Sequence, residues 1–385
     1  MTRMSADRLS ANGGKTYGLQ LRSQADVPVP LTSASASFDS YTSSNQIRDI
    51  STHAAALATT AQNPTTTHGM LLSRRVLSVQ SHVVYGYVGN KAATFPLNLH
   101  GFHVDCIHTV LFSNHTGYPT VKGDRLDGDS LRAITRGLKA NGMLHSYSHI
   151  LAGYIGQETA LEAVAELVEW LKHTNKDTLL LLDPVMGDEG KLYVPQGSVR
   201  IYKERLLNLA DILTPNAYEA ELLSGIKITD MRSAIQCLDW LHHHSSANYI
   251  VITSLDLTLP HLSDDTTHLH LVASYKQHQR VQRFTISFPK LALANGAFTG
   301  TGDLFAAMLL AHLPLSATLQ DFVTACEKAT ATLQGVLKTT MDNFNRARKA
   351  ELDDIQLIRA RELAVISSKH HIENPEIVYR AQLMK

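Results

Sequence analysis

Short apolar runs alternate with helical patterns along the chain from Arg75 onward. Within residues 159–173, for example, Leu161, Val164 and Val168 recur at the spacing of one helix face. This alternation predicts an α/β fold with a mostly parallel central sheet and helices on both of its faces. The predicted strands are residues 76–79, 103–111, 148–152, 179–182, 211–213 and 249–252.

Two further apolar segments, residues 268–273 and 282–288, predict an antiparallel edge to this sheet. A polar, histidine-rich run at residues 255–268 precedes them and is predicted to be an exposed loop. Open α/β sheets bind ligands beyond the carboxyl ends of their strands. Because the polar motifs of this chain fall at or just after predicted strands, we expect them to converge at that edge.

The most informative motif is Gly300-Thr301-Gly302-Asp303, which runs directly into the apolar residues 304–313. Glycines let backbone N–H groups turn toward a ligand, and the positive end of the following helix favours an anion there. A carboxylate beside such an anion hole can take the proton of an attacking hydroxyl, which suits phosphoryl transfer. The alternative is that Asp303 only caps the helix.

Other motifs precede this one in a fixed order: Gln80-Ser81-His82 and residues 86–93, 112–118, 183–188, 214–222 and 251–254. The ordered set closely resembles the pyridoxal kinase family of the ribokinase-like superfamily. The resemblance runs from Arg75 to the C-terminus and includes the tail segment 372–378, which looks like the end of eukaryotic members. It implies a ribokinase-like fold.

The resemblance also implies ATP-dependent phosphorylation of the 5′-hydroxymethyl group of pyridoxal, and of pyridoxine and pyridoxamine. Asp303 matches the family's general base. The backbone N–H groups of Gly300, Thr301 and Gly302 match those that stabilise the transferred phosphoryl group. The implied ligands are ATP, a B6 vitamer, Mg²⁺ or another divalent cation, and a monovalent cation such as K⁺.

Positions for each ligand follow from the same resemblance. The vitamer positions are Ser81, His115, Thr116 and Tyr154; the ATP positions are Asp188, Tyr193, Asn216, Thr253, Ser254, Thr299 and Phe305; the metal positions are Asp183, Thr214 and Glu219. The residues alone leave alternatives open. Asn216 and Glu219 also have the spacing of a capping box, Asp183 could serve the turn before Pro184, and Phe305 could be a core aromatic.

Composition limits the other functions of the chain. Its formal net charge of +0 gives no basic excess for nucleic acid, and no apolar run is long enough to span a bilayer. The three cysteines, Cys106, Cys237 and Cys326, are widely spaced, which is typical of a reducing, cytoplasmic protein without a disulfide framework. The family resemblance adds a homodimer as an expectation.

Residues 1–70 are rich in Ser, Thr and Ala and lack periodicity, so they are predicted to be a disordered extension of the kinase domain at residues 71–385. Scattered basic residues among serines make an organellar transit peptide an alternative for this segment. The run Gly13-Gly14-Lys15-Thr16 looks like the end of a P-loop but lacks its first glycine. His242, His243 and His244 are predicted to lie in a solvated loop.

Two rival functions remain at this point. Hydroxymethylpyrimidine kinase shares the fold and the Gly-Thr-Gly-Asp motif, although residues 113–118 and the C-terminal tail favour pyridoxal. A catalytically idle B6-binding protein is the rival from another class. The intact Asp303 and its two glycines argue against that second rival.

Overall fold

The computed structural model describes residues 74–256, 267–291, 297–350 and 352–384. The strands of this part are β1 (Arg75–Val83), β2 (His103–Phe112), β3 (Gly123–Arg125), β4 (His149–Ala152), β5 (Leu179–Leu182), β6 (Gly187–Asp188), β7 (Lys191–Leu192), β8 (Ile212–Leu213), β9 (Tyr249–Leu255), β10 (His268–Gln277), β11 (Arg280–Pro289) and β12 (Gln382–Leu383). The predicted extension at residues 1–70, and most of the predicted loop at residues 255–268, lie outside the described residues.

The helices are α1 (Asn90–Leu99), α2 (Gly128–Ala140), α3 (Glu158–Thr174), α4 (Gly197–Ile201), α5 (Ala217–Ser224), α6 (Met231–His244), α7 (Thr301–His312), α8 (Leu319–Arg348), α9 (Asp354–Ala360) and α10 (Lys369–Glu373). Helix α3 matches the helix predicted at residues 159–173. No helix in the described part of the chain is long and apolar enough to cross a membrane.

One large sheet has the strand order β12-β11-β10-β9-β8-β5-β4-β1-β2-β3. Its central strands, from β9 to β2, pair in parallel. Strands β10, β11 and β12 extend it antiparallel at one side, which confirms the predicted antiparallel edge. Strand β3 pairs antiparallel with β2 at the other edge. It was not predicted, because a strand of three exposed residues has no apolar pattern.

Apolar side chains cover both faces of the sheet. Along β4, Ile150 belongs to one buried cluster and the next residue, Leu151, to the other, as the two-residue period of a strand requires. The first cluster takes in α3 and α6, and the second takes in α1, α7 and α8. The prediction of helices on both faces is therefore confirmed.

Helix α7 is apolar on nearly all sides, since residues 304–311 are all buried. It packs against both α1 and α8. A helix buried all round is held firmly in place. Its first turn, which carries the Gly-Thr-Gly-Asp motif, is therefore fixed relative to the strand ends.

The histidine run at residues 242–244 ends α6, so its prediction as a solvated loop was wrong. His242 lies one turn beyond Leu238 on the apolar face of the helix and is buried. Its Nε2 lies 2.9 Å from Ser274 Oγ, and its Nδ1 lies 3.1 Å from the carbonyl oxygen of Ala247. Burial lowers the pKa of His242 to about 4, so this core histidine is neutral.

Candidate active site

The predicted polar motifs converge at the carboxyl edge of the parallel strands. Asp183 follows β5 directly, and Thr214 follows the neighbouring strand β8. The start of α7 lies against them, since a Cβ added to Gly302 would lie 3.6 Å from Asp183 Oδ2. The acidic positions and the glycine motif therefore face one another.

Gly300 caps the N-terminus of α7 with a φ of 85°, which glycine adopts without strain. A Cβ at this position would also overlap the carbonyl oxygen of Tyr87. No side chain of the described residues caps the helix, so its first N–H groups stay available for an anion, and Thr301 and Gly302 line a cavity. The first turn of α7 thus offers the uncapped N–H groups that the predicted anion hole would use.

Asp303 does not act as the helix cap, which is Gly300. Its Oδ2 instead accepts a hydrogen bond of 2.7 Å from the N–H of Gly89, in the loop between β1 and α1. Burial raises the pKa of Asp303, and the Gly89 N–H partly offsets that rise. Gly89 in turn packs on Ser81, because a Cβ at Gly89 would overlap the Ser81 carbonyl oxygen.

Three carboxylates lie close enough to disturb one another. Burial, followed by the charges of Glu219 and Asp303, raises the pKa of Asp183 well above its ordinary value. Burial also raises the pKa of Glu219 to about 8, although three backbone N–H groups act in the opposite direction. The buried hydroxyl of Thr214 is close enough to Asp183 to oppose the rise of that pKa, although it has no well-formed hydrogen bond among the described residues. A cation at this place would satisfy all of these groups.

Glu219 completes the capping box that its spacing from Asn216 allowed. Asn216 Oδ1 accepts from the Glu219 N–H at 2.9 Å, and Glu219 Oε2 accepts from the Asn216 N–H at 2.9 Å. Glu219 Oε1 accepts from Met186 N–H at 3.0 Å, and Asn216 Nδ2 donates to the Gly187 carbonyl at 2.8 Å. Because most of its acceptor positions are used, this carboxylate suits a metal reached through water.

A cavity of about 360 Å³ extends from the start of α7, which is within the size range of small-molecule sites. Thr253, Ser254 and Phe305, all predicted for ATP, line it. Its walls include residues that sequence reasoning missed: Leu269, Leu271, Phe288, Leu291, Phe298, Thr330, Leu333, Gln334 and Leu337. Nothing local marks them, because most lie within strands β10 and β11 or helix α8, and Leu291 and Phe298 lie in the connection to α7.

Two predicted ATP residues sit on the hairpin of β6 and β7. Asp188 Oδ1 accepts from the Glu189 N–H at 2.8 Å, and the N–H of Tyr193 donates to the Met186 carbonyl at 2.7 Å. Glu189, not Asp188, lines the cavity. Thr299 is exposed and is not among the lining residues, so the structure does not bring it into the cavity.

The predicted vitamer residues lie at or just beyond the carboxyl ends of β1, β2 and β4. Ser81 contacts Gly89, and Tyr154 Oη lies 3.4 Å from the Tyr193 carbonyl.

His115 is buried, with its Nε2 3.1 Å from Glu362 Oε1. Thr116 is exposed, and no contact of the described residues links it to the others. Glu362 carried no sequence signal, because its partners are more than 240 residues away along the chain.

A glycine-lined helix start, a buried aspartate and two further acids at the edge of a parallel sheet are features that suit an α/β kinase of small molecules. The family model described as phosphomethylpyrimidine kinase matches residues 130–349. The human pyridoxal kinase is 40% identical over 324 residues, covering 80% of this chain and 98% of its own. The pyridoxal kinase of Arabidopsis thaliana is 41% identical over 313 residues, covering 80% and 94%.

A solved structure gives the same result. The pyridoxal kinase of Leishmania donovani in complex with ADP and pyridoxine has a TM-score of 0.70 and 37% identity, covering 81% of this chain and 100% of its own. The chain therefore belongs to the pyridoxal kinase family, within the larger group that the phosphomethylpyrimidine kinase model describes. Its relatives have the ribokinase-like fold that the sequence predicted.

Proposed function

We propose that this protein transfers the γ-phosphoryl group of ATP to the 5′-hydroxymethyl group of pyridoxal, and of pyridoxine and pyridoxamine. The observation that carries the proposal is the Asp303 carboxylate, held at the start of α7 by the Gly89 N–H. The family membership supports it, as do structures of the Leishmania donovani enzyme with ADP and pyridoxine or pyridoxamine.

Asp303 acts as the general base in this proposal. Its Oδ2 is occupied by the Gly89 N–H, and no hydrogen bond to Oδ1 is formed by the described residues. Oδ1 takes the proton of the vitamer hydroxymethyl group while the oxygen of that hydroxymethyl group attacks the γ-phosphorus and ADP leaves. A raised pKa makes the carboxylate a stronger base than an exposed aspartate.

The N–H groups of Gly300, Thr301 and Gly302 donate hydrogen bonds that stabilise the negative charge building on the transferred phosphoryl group. One such donor is typically worth about 3–4 kcal/mol of barrier. The cavity beside Thr301 and Gly302 takes the rest of ATP, with Thr253 and Ser254 toward its phosphates and the apolar walls toward its base. Asp188, Tyr193, Asn216 and Thr299 remain proposed ATP residues on the resemblance alone.

Asp183 and Glu219, with Thr214, are the residues that fit a Mg²⁺ ion. Mg²⁺ is usually held by one or two carboxylates together with waters and substrate phosphates, rather than by a cage of protein ligands. The described residues contain no group of three or more His, Cys, Asp or Glu side chains that could hold a metal ion. A bound Mg²⁺ would neutralise phosphate charge. Asp183 and Glu219 would hold it beside the anion hole.

Further parts of the proposal rest on the resemblance. A monovalent cation such as K⁺ would use backbone or side-chain oxygens near Thr214 and Ser254. Ser81, His115, Thr116 and Tyr154 would contact the vitamer. The protein would work as a homodimer in the cytoplasm. Sedimentation analysis and imaging of the full chain test those last two points.

The second candidate is phosphorylation of hydroxymethylpyrimidine, which the description of the matching family model favours. Purified protein with Mg²⁺ and ATP is offered pyridoxal, hydroxymethylpyrimidine, or both in competition, and phosphorylated products are separated. We expect pyridoxal phosphate, with hydroxymethylpyrimidine a poor competitor. Turnover of hydroxymethylpyrimidine alone would favour the second candidate, and binding of pyridoxal without product would favour an idle binder.

A further inference from the structure

The carboxylate of Glu362 collects three donors from two other loops. Glu362 lies between α9 and α10 in the C-terminal segment, and its side chain is only 10% exposed. Its Oε2 accepts from the Tyr87 N–H at 3.1 Å, and its Oε1 accepts from the Tyr118 hydroxyl at 2.9 Å. Nε2 of the buried His115 lies 3.1 Å from the same Oε1.

The hydrogen bonds of His115 make its Nε2 a donor. Its Nδ1 accepts from the Gly117 N–H at 3.1 Å, so the ring proton of the neutral side chain is on Nε2. All three groups that face Glu362 therefore donate. Only an ionised carboxylate, which accepts at both oxygens, satisfies them together. A glutamine would always turn its NH₂ group toward at least one donor.

The same carboxylate presses on the loop between β1 and α1. A Cβ at Gly86, whose φ is 95°, would overlap both Glu362 oxygens. The next residue, Tyr87, packs its carbonyl oxygen on Gly300 at the start of α7. Two residues further on, the Gly89 N–H holds Asp303. Residues 86–89 are thus fixed between Glu362 on one side and the catalytic motif on the other.

We propose that Glu362 is a positioning residue for vitamer binding, which rests on the proposed function of the site. It holds the loop of His115 and Tyr118 at a fixed distance from residues 86–89, and hence from Asp303. The C-terminal segment thereby completes the vitamer side of the site. Glu362 lies outside the ATP cavity, whose lining residues do not include it.

The test compares KM for pyridoxal with KM for ATP in wild type, Glu362→Ala and Glu362→Gln. Because either variant leaves buried donors unsatisfied, we expect kcat/KM for pyridoxal to fall roughly 5- to 150-fold. This fall should come from a higher KM for pyridoxal, while KM for ATP should stay within about twofold of wild type. Glu376→Gln, an exposed residue of the same segment, serves as the matched control and should change neither constant.

A purely structural role would lower kcat through loss of folded enzyme while leaving both KM values unchanged, and that result would overturn the proposal. Equal rises in both KM values would overturn it too. If the Glu362 variants do not fold, Tyr118→Phe decides, because it removes one donor only. An increase of about threefold or more in KM for pyridoxal would support the positioning role of Glu362, and an unchanged KM would reject it. An inactive wild type would instead count against the proposed function.

Discussion

Asp303 and Glu219, two acidic side chains at one sheet edge, differ in the roles they suit because their hydrogen-bond donors differ. Asp303 has one backbone donor and one oxygen without a partner among the described residues, which suits a base. Glu219 has three backbone donors, which favour its ionised form but are outweighed by burial, so its pKa stays raised. The sequence predicted both as functional, but it could not separate capping from chemistry. The deciding donors come from Gly89 and Met186, which are distant in the chain.

The acid limb of the pH profile tests the environment of Asp303. A base works in its ionised form, so activity falls as pH drops through its pKa. Because burial raises that pKa, the limb of kcat/KM for pyridoxal should lie above the value of about 3.9 for a free aspartate. Rates measured between pH 4.5 and 8 give its position. A flat profile down to pH 4.5 would contradict the assignment, and the residual activity of Asp303→Asn should lack this limb.

The stability of the metal-free protein should also depend on pH, through Glu219. Its pKa is about 8 in the folded state against 4.5 as its ordinary value, so the folded state binds more protons between these limits. The unfolding free energy therefore falls as pH rises from about 4.5 through 8. Mg²⁺ with ADP should restore it, and the gain in melting temperature should be larger at pH 8 than at pH 6. Asp183, whose pKa is also raised, contributes in the same direction, so Glu219→Gln should reduce this pH difference. An equal gain at both pH values in wild type would contradict the prediction.

At the scale of helices and strands, some of the elements that form the site could be predicted and others could not. The pattern of short apolar strands and amphipathic helices predicted the parallel sheet and the strand-end position of the motifs. It did not predict the use of α8 as a cavity wall, since Thr330 and Gln334 lie within a long helix with no local sign of a ligand. It did not predict the hairpin of β6 and β7 either, because two-residue strands carry no periodicity.

Gly300→Ala tests the turn at the start of α7. Gly225, the C-cap of α5, has a similar φ of 74°, but an added Cβ would meet no atom within 4 Å, so Gly225→Ala is a matched control for backbone strain. Both variants should lose about 1–2 kcal/mol of stability from strain. Only Gly300→Ala also collides with Tyr87, and its kcat should fall by roughly 100-fold or more as the anion hole shifts. Stability by urea unfolding and steady-state rates check this; equal rates in the two variants would reject it.

At the scale of the whole molecule, the site is assembled from distant parts of the chain. Asp303 and Gly89 are 214 residues apart, and Glu362 and Tyr87 are 275 apart. Long-range pairs of this kind leave no pattern in a single sequence. The family resemblance supplied the residue roles that periodicity could not. It missed Glu362, whose position lies outside the motifs it compared.

Deletion of residues 2–70 tests the predicted division of the chain. The match to the human relative covers 98% of that protein but only 80% of this chain. Part of this chain therefore lies outside the match, and the resemblance begins at Arg75. We expect kcat/KM for pyridoxal and the melting temperature of the shortened protein to stay within about twofold and 3 °C of the full chain. A larger loss would show that the extension contributes to the kinase.

The most direct test of the account is the single-turnover rate of pyridoxal phosphate formation in wild type and Asp303→Asn, at saturating Mg²⁺, ATP and pyridoxal. General base catalysis contributes about 10²–10⁴-fold, so the variant should be slower by that factor while still binding pyridoxal. Asp342→Asn, an exposed aspartate on α8, should match wild type. A rate for Asp303→Asn within tenfold of wild type would contradict Asp303 as the base, and with it the proposed mechanism.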